Sequence, residues 1–248
     1  MKKHLTWRFW ITLLLLGCSA LTYFIHYLLF HDFRHIIVYL TSDFAFLFIN
    51  VLMVTLFIER LLSQREKQVL MKKLNMVIGT FFSEVGLELL EKFSVFVENA
   101  PDLRKQLEIK PAWIRKDFEN AAGVARRFSY RIVLDLPTLH ELQGFLVRKR
   151  TFLLQLLENP NLLEHDRFTD LLWAVFHLAE ELSFREGQLD GLPASDLEHL
   201  GTDLKRAYSQ IASEWITYAG HLKGSYPFLF SLAARIHPFS PNPSAIIR

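Results

Sequence analysis

Few side chains in this sequence are of a kind and spacing to do chemistry, and the densest group lies in its second half. His177 and Glu181 are four residues apart, so on a helix they share one face. Glu180 sits between them, Glu164-His165-Asp166 lies upstream and Glu198-His199 downstream. Imidazoles and carboxylates together suit proton transfer or a first-row metal ion. A carboxylate-bridged metal bundle, however, uses Glu-x-x-His on two helices plus two further glutamates, and only the reversed order occurs here. Capping or solvated roles are therefore expected, with no catalytic residue, metal ligand or cofactor assigned. An enzyme with a nonstandard site spanning His165–Glu181 stands as an alternative. The sequence has no Gly-rich phosphate loop after a strand, no HExxH and no Gly-x-Ser-x-Gly, which favours binding over catalysis.

A second group of polar residues lies in the apolar N-terminal quarter. Asp43 falls about a third of the way along the run Ile36–Ile58, where an unpaired charge is costly in a bilayer. If that run folds back on Phe9–Phe30, Asp43 comes level with Tyr23, and His26 lies about one turn nearer the outer surface. A polar clamp of Tyr23, His26 and Asp43 is expected, fixing a hairpin or a subunit seam; a proton, ion or ligand site is the other reading. His26, His31 and His35 gather at the same outer surface, and with Asp43 they would serve a transport or redox-membrane component. The single cysteine, Cys18, excludes an intramolecular disulfide and any multi-cysteine metal site. Leu15-Leu16-Gly17-Cys18 has the form of a lipoprotein cleavage box, yet the apolar run continues through Ala20–Ile25, unlike a signal followed by a polar mature start. Cys18 is expected inside a helix, beside Gly17 and Ser19, where another helix can approach.

The third group is basic: Arg126, Arg127 and Arg131, then Arg148-Lys149-Arg150. Such runs form wet faces or meet anionic headgroups. The formal net charge is only +2. Setting aside the four basic and three acidic side chains of residues 1–59 leaves 24 basic against 23 acidic from totals of 28 and 26. No nucleic-acid footprint shows.

These groups must be held by elements of two kinds. Hydrophobic residues make up 51% of the 248 and phenylalanine occurs 22 times, yet charged residues still reach 22%, which describes a membrane part joined to a soluble one. Phe9–Phe30 is long enough, at about 1.5 Å per residue, to cross a bilayer core. Ile36–Ile58 reads as a second span, so residues 1–58 form a transmembrane hairpin turning at His31–His35. Lys2, Lys3 and Arg8 precede it, Arg60, Arg65, Lys67, Lys72 and Lys73 follow it, and only Arg34 lies between. Both termini are then cytoplasmic, with Trp7, Trp10, Tyr27 and Tyr39 near the interfaces.

The helical pattern does not stop at Ile58. Residues 59–99 read as a connecting amphipathic helix continuous with the second span, its stripe running through Leu74, Ile78, Phe81, Phe82, Val85, Leu89 and Phe93. Gly79 and Ser83, four apart, could admit a neighbouring helix, either within the subunit core or across a dimer seam. Pro101 is expected to end it, and Asp102–Lys110 reads as a charged connector. Residues 100–237 form a cytoplasmic all-α domain with helices near 112–130, 138–158, 165–186, 195–223 and 227–236. Asp135 with Pro137 marks one start and the capping box Ser195-Asp-Leu-Glu198 another. Only Tyr130–Leu136 could be a strand. Residues 238–248, with Pro238, Pro241 and Pro243, are expected to be a flexible tail.

The stretches REKQVLMKKLNMVIGTFFSEVG (65–86), FTDLLWAVFHLAEEL (168–182) and YPFLFSLAARIHPF (226–239) resemble blocks in uncharacterised bacterial inner-membrane proteins with two N-terminal spans. That resemblance implies the architecture and no activity. The sequence as a whole points to a multi-pass inner-membrane protein that is membrane-tethered and acts as an interaction, sensor or regulatory module. Its partners would be the lipid bilayer and a second copy or another membrane protein, with no nucleic acid.

Overall fold

Apolar spacing translates directly into helices. The computed structural model describes residues 2–31, 33–160, 162, 165–240 and 242–246, with side chains from Phe9 onward. Asp32, Glu164 and Pro241, and the side chains of Lys2, Lys3, Trp7 and Arg8, lie outside the described residues. The chain divides into two units, Met1–Lys67 and Gln68–Arg248. It is all-α: among the described residues the sole β feature is one antiparallel bridge, Val97 to Ile132. That bridge falls inside the stretch read as a candidate strand.

The first unit holds α1 (Lys2–Phe30) and the start of α2 (Phe33–Phe81). His31 ends α1 in the left-handed region at φ 48°, its N–H donating to the Tyr27 carbonyl at 2.9 Å. The turn is thus tighter than the five residues expected, and α2 begins at Phe33 rather than Ile36. The hydroxyls of Thr22 and Thr41 donate to the carbonyls of Cys18 and Ile37, each at 2.8 Å. Such back-bonding satisfies a hydroxyl without solvent. The apolar windows of α1 and α2 have none of their residues buried.

The second unit starts within α2, where Leu74, Ile78 and Phe81 are buried. A π-turn, Phe82–Gly86, follows and leads into α3 (Leu87–Val95). Its wider turn lets consecutive phenylalanines both face inward: Phe81 meets Phe168, and Phe82 meets Trp215 and Tyr218, at ring separations of 5.1–5.7 Å. Gly86 is required there, because a Cβ would stand 2.6 Å from the Phe82 ring and 2.8 Å from that of Phe81. The stripe is therefore core of this chain. The amphipathic half of the expected connecting helix belongs to the second unit.

Pro101 does not end a helix but begins one, α4 (Ala100–Leu107), from its first turn. Proline fits there because the first N–H groups have no intrahelical partner. The segment read as a connector is thus largely helical, and the chain breaks earlier, after Val95. Helices α5 (Arg115–Arg127), α6 (Leu136–Leu157), α7 (Asp166–Phe184), α8 (Ala194–Ser225) and α9 (Pro227–Ile236) follow the expected order. Asp135 caps α6 as expected, accepting from the Thr138 N–H at 3.0 Å. The Ser195 capping box is not formed: α8 starts one residue earlier, after Pro193, without a side-chain cap. Long α8 is the axis of the core, with Leu204, Ala207, Ile211, Ile216 and Ala219 fully enclosed. It packs against α5 on one side and α7 on another. The expected flexible tail is anchored at its start, since Phe239 is 2% exposed and the Ser244 N–H bonds to the Arg235 carbonyl at 3.1 Å.

Candidate functional site

Helices α7 and α8 meet along a polar seam that ends at the surface. His177 of α7 stands opposite Asp203 of α8, Glu181 opposite His199, and Arg185 opposite Asp196, so the two helices run antiparallel. His177 Nε2 lies 3.3 Å and His199 Nε2 3.4 Å from Asp203 Oδ2. The two Glu181 oxygens lie 3.8 and 3.7 Å from the same nitrogens. Arg185 closes the seam with a bidentate pair to Asp196, both contacts at 2.8 Å, and a further bond to the Glu181 carboxylate. Held by that fork, Asp196 stays below the usual carboxylate range. At the other end Arg206 Nη1 is 3.1 Å from Asp203 Oδ1.

Asp203 sets this seam apart. It is 2% exposed, and its Oδ2 accepts no hydrogen bond. His177, His199 and Asp203 bring three ligand atoms within 4.8 Å of one another, and among the described residues these three are placed to hold a cation. The sequence singles out His177, Glu181 and His199 but not Asp203. The signal was present: His199-x-x-x-Asp203 repeats the spacing of His177-x-x-x-Glu181. Asp203 also falls three after Leu200 and four before Ala207, on a face otherwise apolar.

His165, the other end of the region expected to be capping or solvated, is the α7 cap. Its Nδ1 accepts from the Phe168 N–H at 3.2 Å, and its Nε2 lies 3.8 Å from Glu214 Oε1. Burial raises the Glu214 carboxyl above its ordinary range, against the opposing influence of His165, Arg167 and Arg126.

The basic residues each engage a neighbour of their own. Arg126 Nε donates to Ser213 Oγ at 2.9 Å, and Arg131 pairs with Glu98 at 3.3 Å. Lys149 pairs with Glu84 at 3.9 Å and Arg150 with Glu180 at 3.6 Å. Arg127 folds over Gly123, and Arg148 over Gly144. In the first unit, the expected contact among Tyr23, His26 and Asp43 is not formed among the described residues. His26 stacks instead on His35, with ring centres 6.2 Å apart, because the short turn brings these two histidines level.

Comparison with known proteins supports both units. Residues 70–235 match the family described as "Uncharacterized protein MJ1433, C-terminal helical domain", and residues 2–62 match the family of its N-terminal helical domain. The uncharacterised protein MJ1433 of Methanocaldococcus jannaschii is 43% identical over 237 residues, covering 96% of this chain and 94% of that protein. No solved structure matches. The relative is archaeal, so the match supports an uncharacterised all-helical family rather than the bacterial setting that the resemblance implied.

Proposed function

The chain belongs to the family of the uncharacterised protein MJ1433, and from that premise we propose that it is a membrane-tethered binding module. In this reading α1 and the first part of α2 cross the cytoplasmic membrane as a hairpin with both termini inside, and residues 68–248 act by contact with a partner or a second copy. The observation that carries it is the contrast between the two units. The second encloses its own core, whereas the apolar windows of α1 and α2 bury none of their residues. Leaving a large apolar side chain in water forgoes roughly 1.5–3 kcal/mol each, so those windows call for a lipid environment. Phe228, Leu229 and Leu232 of α9 are exposed on the second unit and favour a contact surface there. Helix α2 belongs to both units, which makes it the segment by which a change in one would reach the other. Arg127 and Arg148, both exposed, are the basic residues best suited to anionic headgroups.

The test is membrane fractionation of the tagged full chain with C-terminal reporters. The expected result is resistance to alkaline carbonate, release by detergent, and a reporter active only in the cytoplasm. Release by carbonate alone, or a diacylglyceryl-Cys18 N-terminus, overturns the reading.

A further inference from the structure

Asp203 Oδ2 presents a problem that the protein's own donors leave unsolved. A buried carboxylate oxygen without a partner is expensive, and such groups are rare in folded proteins. Two imidazole Nε2 atoms stand at 3.3 and 3.4 Å, yet Oδ2 accepts a hydrogen bond from neither. Atoms with lone pairs converge from two helices on one point.

Two of the three separations have the dimensions of a metal site, and all three atoms lie within 4.8 Å of one another. Ligand atoms bound tetrahedrally at about 2.0–2.1 Å are separated from one another by roughly 3.3–3.4 Å. Both imidazole-to-Asp203 separations already have this value. Glu181 stands beside these three rather than among them: its two oxygens approach one nitrogen each, at 3.8 and 3.7 Å, and Arg185 holds the second of them. We infer that His177, His199 and Asp203 form a binding site for a divalent first-row transition ion. Two imidazole nitrogens and one carboxylate oxygen suit such an ion, with water completing its shell, whereas calcium and magnesium take oxygen ligands.

The surroundings fit the same reading. Arg206 occupies Asp203 Oδ1 and leaves Oδ2 for the ion; a contact of this kind to a ligand's other oxygen orients the ligand. The carboxylates of Asp203, Glu181 and Asp196 against Arg185 and Arg206 leave one negative charge for a cation to meet. The side chains of His177 and His199 are 44% and 49% exposed, which opens a path for the ion. Because ligands come from both α7 and α8, an occupied site would clamp those helices together. The site stands apart from membrane tethering, so either reading can fail alone.

The experiment uses the full chain purified in detergent, stripped with chelator, then titrated with Co2+ and afterwards with Zn2+. Expected are one Co2+ per chain with a visible absorption band, its displacement by one Zn2+, and a Zn2+-dependent rise in melting temperature. His177→Gln and His199→Gln each lower Zn2+ affinity at least about tenfold. His140→Gln, an exposed histidine elsewhere, leaves it unchanged. Helical circular dichroism confirms that the variants fold, and the wild-type stoichiometry decides the matter even if one does not. Absence of stoichiometric Co2+ and Zn2+ binding at micromolar concentrations overturns the inference. So does equal affinity in the doubly substituted His177→Gln/His199→Gln protein; either outcome leaves the cluster as histidine–carboxylate ion pairs only.

Discussion

Tyr218 lies across Gly79 so closely that its hydroxyl oxygen is 2.5 Å, and its Cζ 3.3 Å, from where a Cβ on residue 79 would stand. The close approach anticipated for this glycine is thus made by α8 of the same chain. Alanine is the better helix former by about 1 kcal/mol, but here it must displace a phenol ring, and overpacking costs roughly 1–3 kcal/mol. Gly79→Ala is expected to destabilise the second unit by about 1 kcal/mol despite its propensity. Tyr218→Phe removes the clashing oxygen, so the double variant should regain most of that loss. A double-mutant cycle on denaturation midpoints measures the coupling; zero coupling would show that the ring simply swings aside.

Phe82 tests the core assignment of the same stripe. It is 1% exposed, with Trp215 and Tyr218 against its ring. Phe82→Glu places an unpaired charge among them, a cost of several kcal/mol, and is expected to unfold residues 68–248. Phe82→Leu should fold with a loss of about 1 kcal/mol. Circular dichroism together with light-scattering mass separates the outcomes. A folded monomer from Phe82→Glu would mean that the stripe is a subunit seam after all.

How much could be read in advance depends on where the deciding contact lies in the chain. Helices α7, α8 and α9 were legible because their apolar residues repeat at three and four over several turns, a signal contained in each segment. Pro101 is ambiguous in sequence because proline stops a helix from inside but starts one from its first turn, and which applies depends on the packing of Leu103 and Leu107. The Ser195 box failed for a related reason: Pro193 already sets the extended entry to α8. At the seam, His177 and Glu181 were visible as a pair. Their meeting with His199 and Asp203 depends on the pairing of α7 with α8, which no single window contains. Tyr23, His26 and Asp43 align only about a turn spanning His31–His35, and the shorter turn puts His26 against His35.

Glu214 gives a pH signature of its own. Burial raises its carboxyl above the ordinary 4.5, so the folded state holds the proton more tightly than the unfolded one. Its contribution to stability is then greatest below 4.5 and falls as pH rises through the raised value. Glu214→Gln keeps the shape without the charge. It should raise the denaturation midpoint at neutral pH and leave it little changed near pH 4 (about the unfolded glutamate value). A variant less stable at neutral pH would show that the attraction of Arg126, Arg167 and His165 outweighs burial.

His237 acts in the opposite direction. It is 1% exposed, and its Nδ1 accepts from the Phe239 N–H at 3.2 Å, a bond that requires an unprotonated nitrogen. Burial lowers its pKa from 6.5 to about 4. The unfolded chain therefore takes up a proton first, and stability present above 6.5 is lost as pH falls from 6.5 through about 4. At 1.36 kcal/mol per unit the full loss is roughly 3 kcal/mol, and about 2 kcal/mol of it falls between pH 7.5 and 5. In a unit of this size that corresponds to a drop in melting temperature of about 4–8 °C. His237→Asn can still accept from Phe239 but cannot titrate. Whatever its absolute stability, its melting temperature should fall by that much less than wild type over the same interval. An equal fall in both proteins would place the acid sensitivity elsewhere, and the segment anchored by Phe239 would then not be held by a neutral histidine.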